Sequence, residues 1–329
     1  MNRLNVRNLI GALSLAGVAL ILSSCIGPPD NRAPVATFTA TPHEGYAPLH
    51  VRLDAGATVD PDGDALTYEW TLGDGTTETG RVIDHTFFEG SYSVTLRVAD
   101  PGGAMDTASK TVTAREVPDG YIVSHFQWVF EGEDQTWDAL LSYDLYQMYR
   151  GRIRTPFAGN YEYGDFVLDP LDDPTLEDLA LVLWNRVAQS DERFIDMALA
   201  FVQGAIAYRV DPPGFEWPFY PMETLVDGVG DCEDTSILLV SLLRARGIAC
   251  KLAFVDTDED RTPDHVLSLI AVPANGLSEP HCTGGQVTIL TFDEQAFAVA
   301  ETAVDHSLYG VGCDPWGLTS DDVLRTWSF

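Results

Sequence analysis

The pattern of this chain changes at Pro118-Asp119-Gly120, and that break constrains the fold more than any other feature. Between about Ala33 and Ala114, short β-patterned runs alternate with turn clusters. Examples are Ala36 to Ala40, Leu66-Thr-Tyr-Glu-Trp-Thr-Leu72 and Tyr92-Ser-Val-Thr-Leu-Arg-Val98. Period-two alternation at this spacing predicts a β-sandwich. Beyond the break, helical patterning predicts helices over Trp137 to Tyr149, Leu176 to Ala188 and Phe194 to Ala207, the second opened by Pro174 and Thr175. β-like runs follow the next helical segment: Cys250 to Val255, His265 to Val272, Gln286 to Phe292 and Phe297 to Thr302. Helices first and an antiparallel sheet after them predict an α+β domain over 121–329. At 329 residues and 45% hydrophobic content, the chain has material for two cores.

The N-terminus predicts export. Arg3 and Arg7 precede an apolar run from Leu9 to Leu22, and Leu22-Ser23-Ser24-Cys25 follows. The run is short for a membrane span, which needs roughly 20 residues, and its end resembles a lipobox. Residues 1–24 are then a lipoprotein signal peptide, Cys25 the lipidated first residue, and 25–32 a linker. An ordinary secretory signal or a short anchor is the alternative, and both leave the chain facing outward at the cell envelope. The formal net charge of −31 makes nucleic acid an improbable partner.

Three separated words carry a resemblance for residues 33–115. They are Asp60-Pro-Asp-Gly-Asp64, Tyr68-Glu-Trp-Thr-Leu-Gly-Asp-Gly75, and the run from His85 to Asp100. Together they resemble a PKD (polycystic kidney disease) domain, an Ig-like sandwich. That family implies a spacer or a module with a polysaccharide or protein ligand. Asp60, Asp62 and Asp64 have the every-second-residue spacing of a calcium loop. No glutamate follows at the EF-hand distance, so the run reads as an acidic turn with calcium as its alternative.

Chemistry concentrates at Gly230-Asp-Cys-Glu-Asp234. From Ile237 to Leu243 the chain is apolar nearly all round, and Arg244, Arg246 and Gly247 close the helix. Cys232 thus sits at a helix N-terminus, where free N–H groups favour a thiolate and an oxyanion. Asp231, Glu233 and Asp234 oppose the thiolate, so a base is required. His265 opens a strand downstream. Glu301 falls where Phe297 and Val299 call for a core residue, and a buried carboxylate needs a partner such as an imidazole. Asp293 and Asp305 are substitutes for that third role, while His281 and His306 lack the right neighbours. Trp217 and Tyr220 either wall a cleft or pack beneath the helix, and Gln203 reads as structural. No pair of ligands shows zinc spacing on one element.

Cys on a helix, then His and an acid on successive strands, resembles the transglutaminase-like cysteine hydrolase family, a papain-like fold. The supporting words are Phe201-Val-Gln, Tyr208, Tyr220-Pro-Met-Glu-Thr-Leu225, Gly230-Asp-Cys-Glu-Asp234, Leu242 to Gly247, His265-Val and Ala300-Glu-Thr302. They look like the archaeal and bacterial branch. The resemblance implies Cys232 as nucleophile, His265 as base then acid, and Glu301 as the residue orienting His265, although aspartate is commoner in that place. It implies a peptide or protein substrate, no required cofactor, and hydrolysis or cross-linking as outcomes. The alternative is a surface binding or adhesion protein with a vestigial triad. If Cys25 is lipidated and Cys232 reactive, Cys282 and Cys313 remain to form a disulfide with Cys250 a buried thiol. The other reading pairs Cys250 with one of them.

Overall fold

The computed structural model describes residues 31–154, 162–212, 217–258, 262–272, 282, 286–304 and 309–329. The segment 1–24 expected to be a signal peptide, Cys25, His281, Asp305 and His306 lie outside the described residues, as does most of the expected 25–32 linker. The chain divides into two compact units. Among the described residues, one comprises those up to His43, with His50–His85 and Tyr92–Val112, and the other those of Glu44–Leu49, Thr86–Ser91 and Thr113–Phe329.

In the N-terminal sandwich, Thr39–Thr41, Leu49–Asp54 and Val82–Phe87 form one sheet. The strands Glu44–Tyr46, Met105–Arg115, Gly90–Ala99, Thr67–Thr71 and Thr77–Thr79 form the other, in that spatial order. The alternation in the sequence is the alternation of burial: along Leu49–Asp54, Leu49, Val51 and Leu53 are buried and His50 and Arg52 exposed. Trp70 is fully buried, stands edge-on to Phe38 with ring centroids 5.0 Å apart, and donates its indole N–H to the Gly80 carbonyl at 2.8 Å. The Asp60–Asp64 run is closed by its own backbone: Asp60 Oδ1 accepts from the N–H groups of Asp62 and Asp64. The Asp62 carboxylate accepts from the Arg32 N–H and guanidinium at 2.7 and 2.8 Å.

One expectation is corrected beyond residue 120. Trp137 to Ser142 is not helical. It belongs to the strand Glu133–Ser142, which pairs residue for residue with Tyr121–Phe130 in a hairpin. Helix begins only at Tyr143 and ends at Arg150, capped by the Ser142 hydroxyl. The tight turn at Glu131 and Gly132, both at positive φ, closes the hairpin. Trp137 stacks on Phe126 at 5.6 Å, and Phe126 and Trp128 both meet Phe201 edge-on at 5.2 Å. The hairpin thereby packs on the Asp191–Ala205 helix.

The remaining helices match their sequence signals. Asp173–Arg186 carries Pro174 in its first turn, and Cys232–Ala245 ends where Gly247, at φ +71°, takes the left-handed conformation. The Cys232–Ala245 helix is buried from Glu233 through Leu243 and packs on an antiparallel sheet. The order of that sheet is Ile289–Phe292, Gln295–Ala300, His265–Ala271, Cys250–Val255, Val323–Ser328. Val266, Ile270, Ala298 and Ala300 face the helix; Leu267, Leu269, Phe297 and Val299 face a second small core. Among the described residues no helix is long and apolar enough to cross a membrane.

Candidate active site

The start of the Cys232 helix is fastened on three sides. The Asp231 side chain accepts from the Asp234 N–H, and Asp234 returns a bond from the Asp231 N–H, a reciprocal cap. Asp234 Oδ1 also accepts the Phe219 N–H at 2.6 Å. Burial, reinforced by the charge of Asp231, pushes the Asp234 carboxyl well above the usual carboxylate range. The sequence placed Asp234 among the charges opposing a thiolate; in the fold it is a buried backbone staple. On the third side, Thr302 Oγ1 meets Thr235 Oγ1 at 2.8 Å and Ser236 Oγ at 3.2 Å, tying the first helical turn to the chain just past the Gln295–Ala300 strand.

Cys232 is half-buried and free. Its S–H donates to Glu233 Oε2 at 3.5 Å, and the Val266 N–H, one residue past His265, donates to the sulfur. Burial is the main cause that pushes the thiol well above its ordinary range. Glu233 adds to this, and the Val266 N–H opposes it. The resting group is therefore a thiol.

His265 Nε2 lies 2.8 Å from Glu301 Oε2, with Glu301 1% exposed. The strand register explains the meeting. Ser268 faces Ala300 across the antiparallel pair, so continuing the register puts Glu301 beside Leu267 and diagonal to His265 on one face of the sheet. Glu301 is the first residue past the strand Gln295–Ala300. Its other oxygen accepts the Ala303 N–H at 2.7 Å, and its backbone carbonyl accepts from Gln203 Nε2. The same amide also donates to the Tyr309 carbonyl at 3.1 Å. Gln203, read from the sequence as structural, is structural at the acid itself.

Other candidates lie elsewhere. Asp293 forms, with Glu294, the positive-φ turn between Ile289–Phe292 and Gln295–Ala300, whereas Glu301 is the carboxylate that contacts His265. Tyr220 is wedged between Tyr149 at 4.3 Å and Phe166 at 4.6 Å and packs against the main core of this unit. Trp217 lies against the Arg154 guanidinium. Tyr208 pairs with Gly230 in a short parallel bridge two residues before the thiol. Burial and the charges of Cys232, Asp231, Glu233 and Glu301 raise its phenol.

Two features were not foreseen. Asp211, distant in sequence, joins Asp231 and Glu233 so that one carboxylate oxygen from each lies within 4.8 Å of the others. These are the described residues able to hold a cation beside the thiol, and no spacing on a single element announces them. Trp316 lies over the His265 ring with centroids 4.6 Å apart; its only sequence signal is an aromatic residue in an Asp-Pro-Trp-Gly turn. Cys282 and Cys313 form a disulfide, and Cys250 is a buried free thiol.

The chain can be placed among known proteins. Over 156 residues, 44% of this chain, it is 28% identical to the pre-pro-metalloprotease PrtV of Vibrio cholerae, and the match covers 16% of that protein. Over 88 residues, 26% of this chain, it is 32% identical to collagenase ColQ1 of Bacillus cereus, covering 9% of it. The chain thus spans a small part of these relatives. The crystal structure of the PKD1 domain from the Vibrio cholerae metalloprotease PrtV is similar over 26% of this chain and 99% of that one, at 32% identity and a TM-score of 0.23. Residues 31–115 match the PKD domain and residues 185–305 the transglutaminase-like superfamily. The chain therefore consists of a PKD β-sandwich followed by an α+β domain that belongs to the transglutaminase-like superfamily.

Proposed function

We propose that this protein is an exported, lipid-anchored cysteine acyl-transfer enzyme acting on amide bonds of peptides or proteins, with Cys232, His265 and Glu301 as its triad. The observation that carries the reading is the His265–Glu301 pair, made with a buried carboxylate beside the residue whose N–H reaches the Cys232 sulfur. Glu301 accepts a hydrogen bond from the Nε2–H, which fixes the tautomer and leaves the Nδ1 lone pair for the thiol. His265 takes the thiol proton, and the sulfur bonds to the amide carbonyl carbon. N–H groups at the helix start stabilise the oxyanion. Collapse breaks the carbon–nitrogen bond as His265 returns the proton to the leaving amine. The thioester then passes its acyl group to water or to an amine. Because the resting thiol is held protonated, the base does work that a preformed thiolate would not need.

The PKD sandwich holds the enzyme away from the membrane surface or binds a polysaccharide or protein there. Calcium has no role in this mechanism. The raised thiol favours one rival, a binding protein with an inert triad. Labelling the full chain with an acyl-donor probe separates the two. Modification at Cys232 that is lost in Cys232→Ala, with the fold intact by circular dichroism, supports the enzyme. Labelling retained in that variant, or absent from the wild type, overturns it.

A further inference from the structure

His265 is held from two directions, and only one is accounted for by the triad. Glu301 holds Nε2, while the indole of Trp316 lies against the ring at 4.6 Å and an interplanar angle of 58°. Trp316 is 40% exposed, so burial in a core does not explain its placement. The turn that carries it is tightly fixed. The fully buried Asp314 carboxylate accepts the Trp316 N–H on Oδ1 at 2.8 Å and the Leu318 N–H on Oδ2 at 2.5 Å. Leu318 is driven into the small core with Leu267, Leu269, Phe297 and Val299, the sheet face that also carries His265 and Glu301. Gly317 sits at φ +78°, where a Cβ would also come within 2.7 Å of the Gln286 side chain. Immediately before Asp314, the buried Cys313 is bonded to Cys282.

We propose that Trp316 is a positioning residue for His265, and that the Cys282–Cys313 disulfide and Asp314 form the brace that keeps its indole on the imidazole. This rests on the reading of His265 as the general base. The indole limits rotation of the ring about the bond that sets where Nδ1 points. Its π-face favours the imidazolium that forms when the thiol gives up its proton. The disulfide then acts on catalysis through the turn, by fixing the end from which Trp316 is presented.

The test is the rate at which iodoacetamide alkylates Cys232 in the full oxidised chain, read by mass spectrometry, with thermal unfolding recorded for every variant. Trp316→Ala is expected to slow alkylation about tenfold, and Trp316→Phe to recover most of the rate. Cys282→Ser with Cys313→Ser is expected to slow it comparably and to add little to Trp316→Ala. In a His265→Ala background, Trp316→Ala is expected to change nothing, because its effect passes through the imidazole. An unchanged rate in Trp316→Ala, no recovery with Phe, or an undiminished effect without His265 would each overturn the proposal. If His265→Ala itself alkylates at the wild-type rate, the acyl-transfer reading falls and the brace with it. If His265→Ala is slow and the Trp316 variants are not, only the brace falls.

Discussion

Glu301 Oε2 sits 2.8 Å from His265 Nε2 while Glu301 Oε1 takes the Ala303 N–H, so both oxygens of a buried carboxylate are used. Replacing Glu301 by Ala frees the ring and strands two donors. Acylation of Cys232 by p-nitrophenyl acetate should then slow by about 10²-fold or more. Glu301→Gln, which keeps an acceptor without the charge, should fall between that variant and the wild type. Stopped-flow release of p-nitrophenol measures this, and a wild-type rate in Glu301→Ala would remove the acid from the triad.

Asp172 predicts a pH dependence of stability. It is 1% exposed, and burial, with Asp169 and Asp173 nearby, pushes its carboxyl up from 3.8 to about 7. Between those values the folded chain holds a proton that the unfolded chain has lost. The stability is therefore complete below about pH 4 and lost as the pH rises through 7. The loss across that window is on the order of 4 kcal/mol, of which about 3 kcal/mol falls between pH 5 and pH 8. Urea midpoints at pH 5 and pH 8 should differ more for the wild type than for Asp172→Asn; equal differences would discount the buried carboxyl.

Arg154 and Glu223 form an ion pair whose side chains are 4% and 0% exposed. Arg154→Met leaves the carboxylate buried alone and should cost about 3–5 kcal/mol. Adding Glu223→Gln should return part of that. Denaturant titration of both variants decides, and additive losses would mean that the pair does not act as a pair.

Trp70→Ala in the sandwich removes a fully buried indole together with its bond to Gly80. The expected cost is about 3–5 kcal/mol, read as a lower unfolding temperature for the PKD unit. Alkylation of Cys232 in the other unit should keep its rate.

The residues that were legible were those out of keeping with their surroundings. Glu301 interrupts an apolar alternation, and Cys232 stands between carboxylates at a helix start; each incongruity marked a contact. The sandwich was legible because its strands alternate with one face buried. Trp137 to Ser142 was misread because the period-two stretch runs without a break into the helix beginning at Tyr143, and a single window across the junction mixes both periods. Asp234 was misread because a carboxylate's charge shows in the sequence and its burial does not. Trp316, Asp211 and Thr302 were missed as site neighbours because periodicity says which face a residue takes, not what lies opposite. The Gln203 side chain reaches a carbonyl 106 residues away, and no local pattern encodes that distance.

That reach bears on how the domain can be recombined. One side-chain amide on the Asp191–Ala205 helix holds the backbone at Glu301 and at Tyr309 together. A graft of the C-terminal strands from a relative would import a complete His and acid yet leave their anchor behind in the host helix. The smallest transplantable unit that keeps the His265–Glu301 pair anchored is therefore not the stretch from Cys232 to Phe329. It begins upstream, at the helix that carries Gln203.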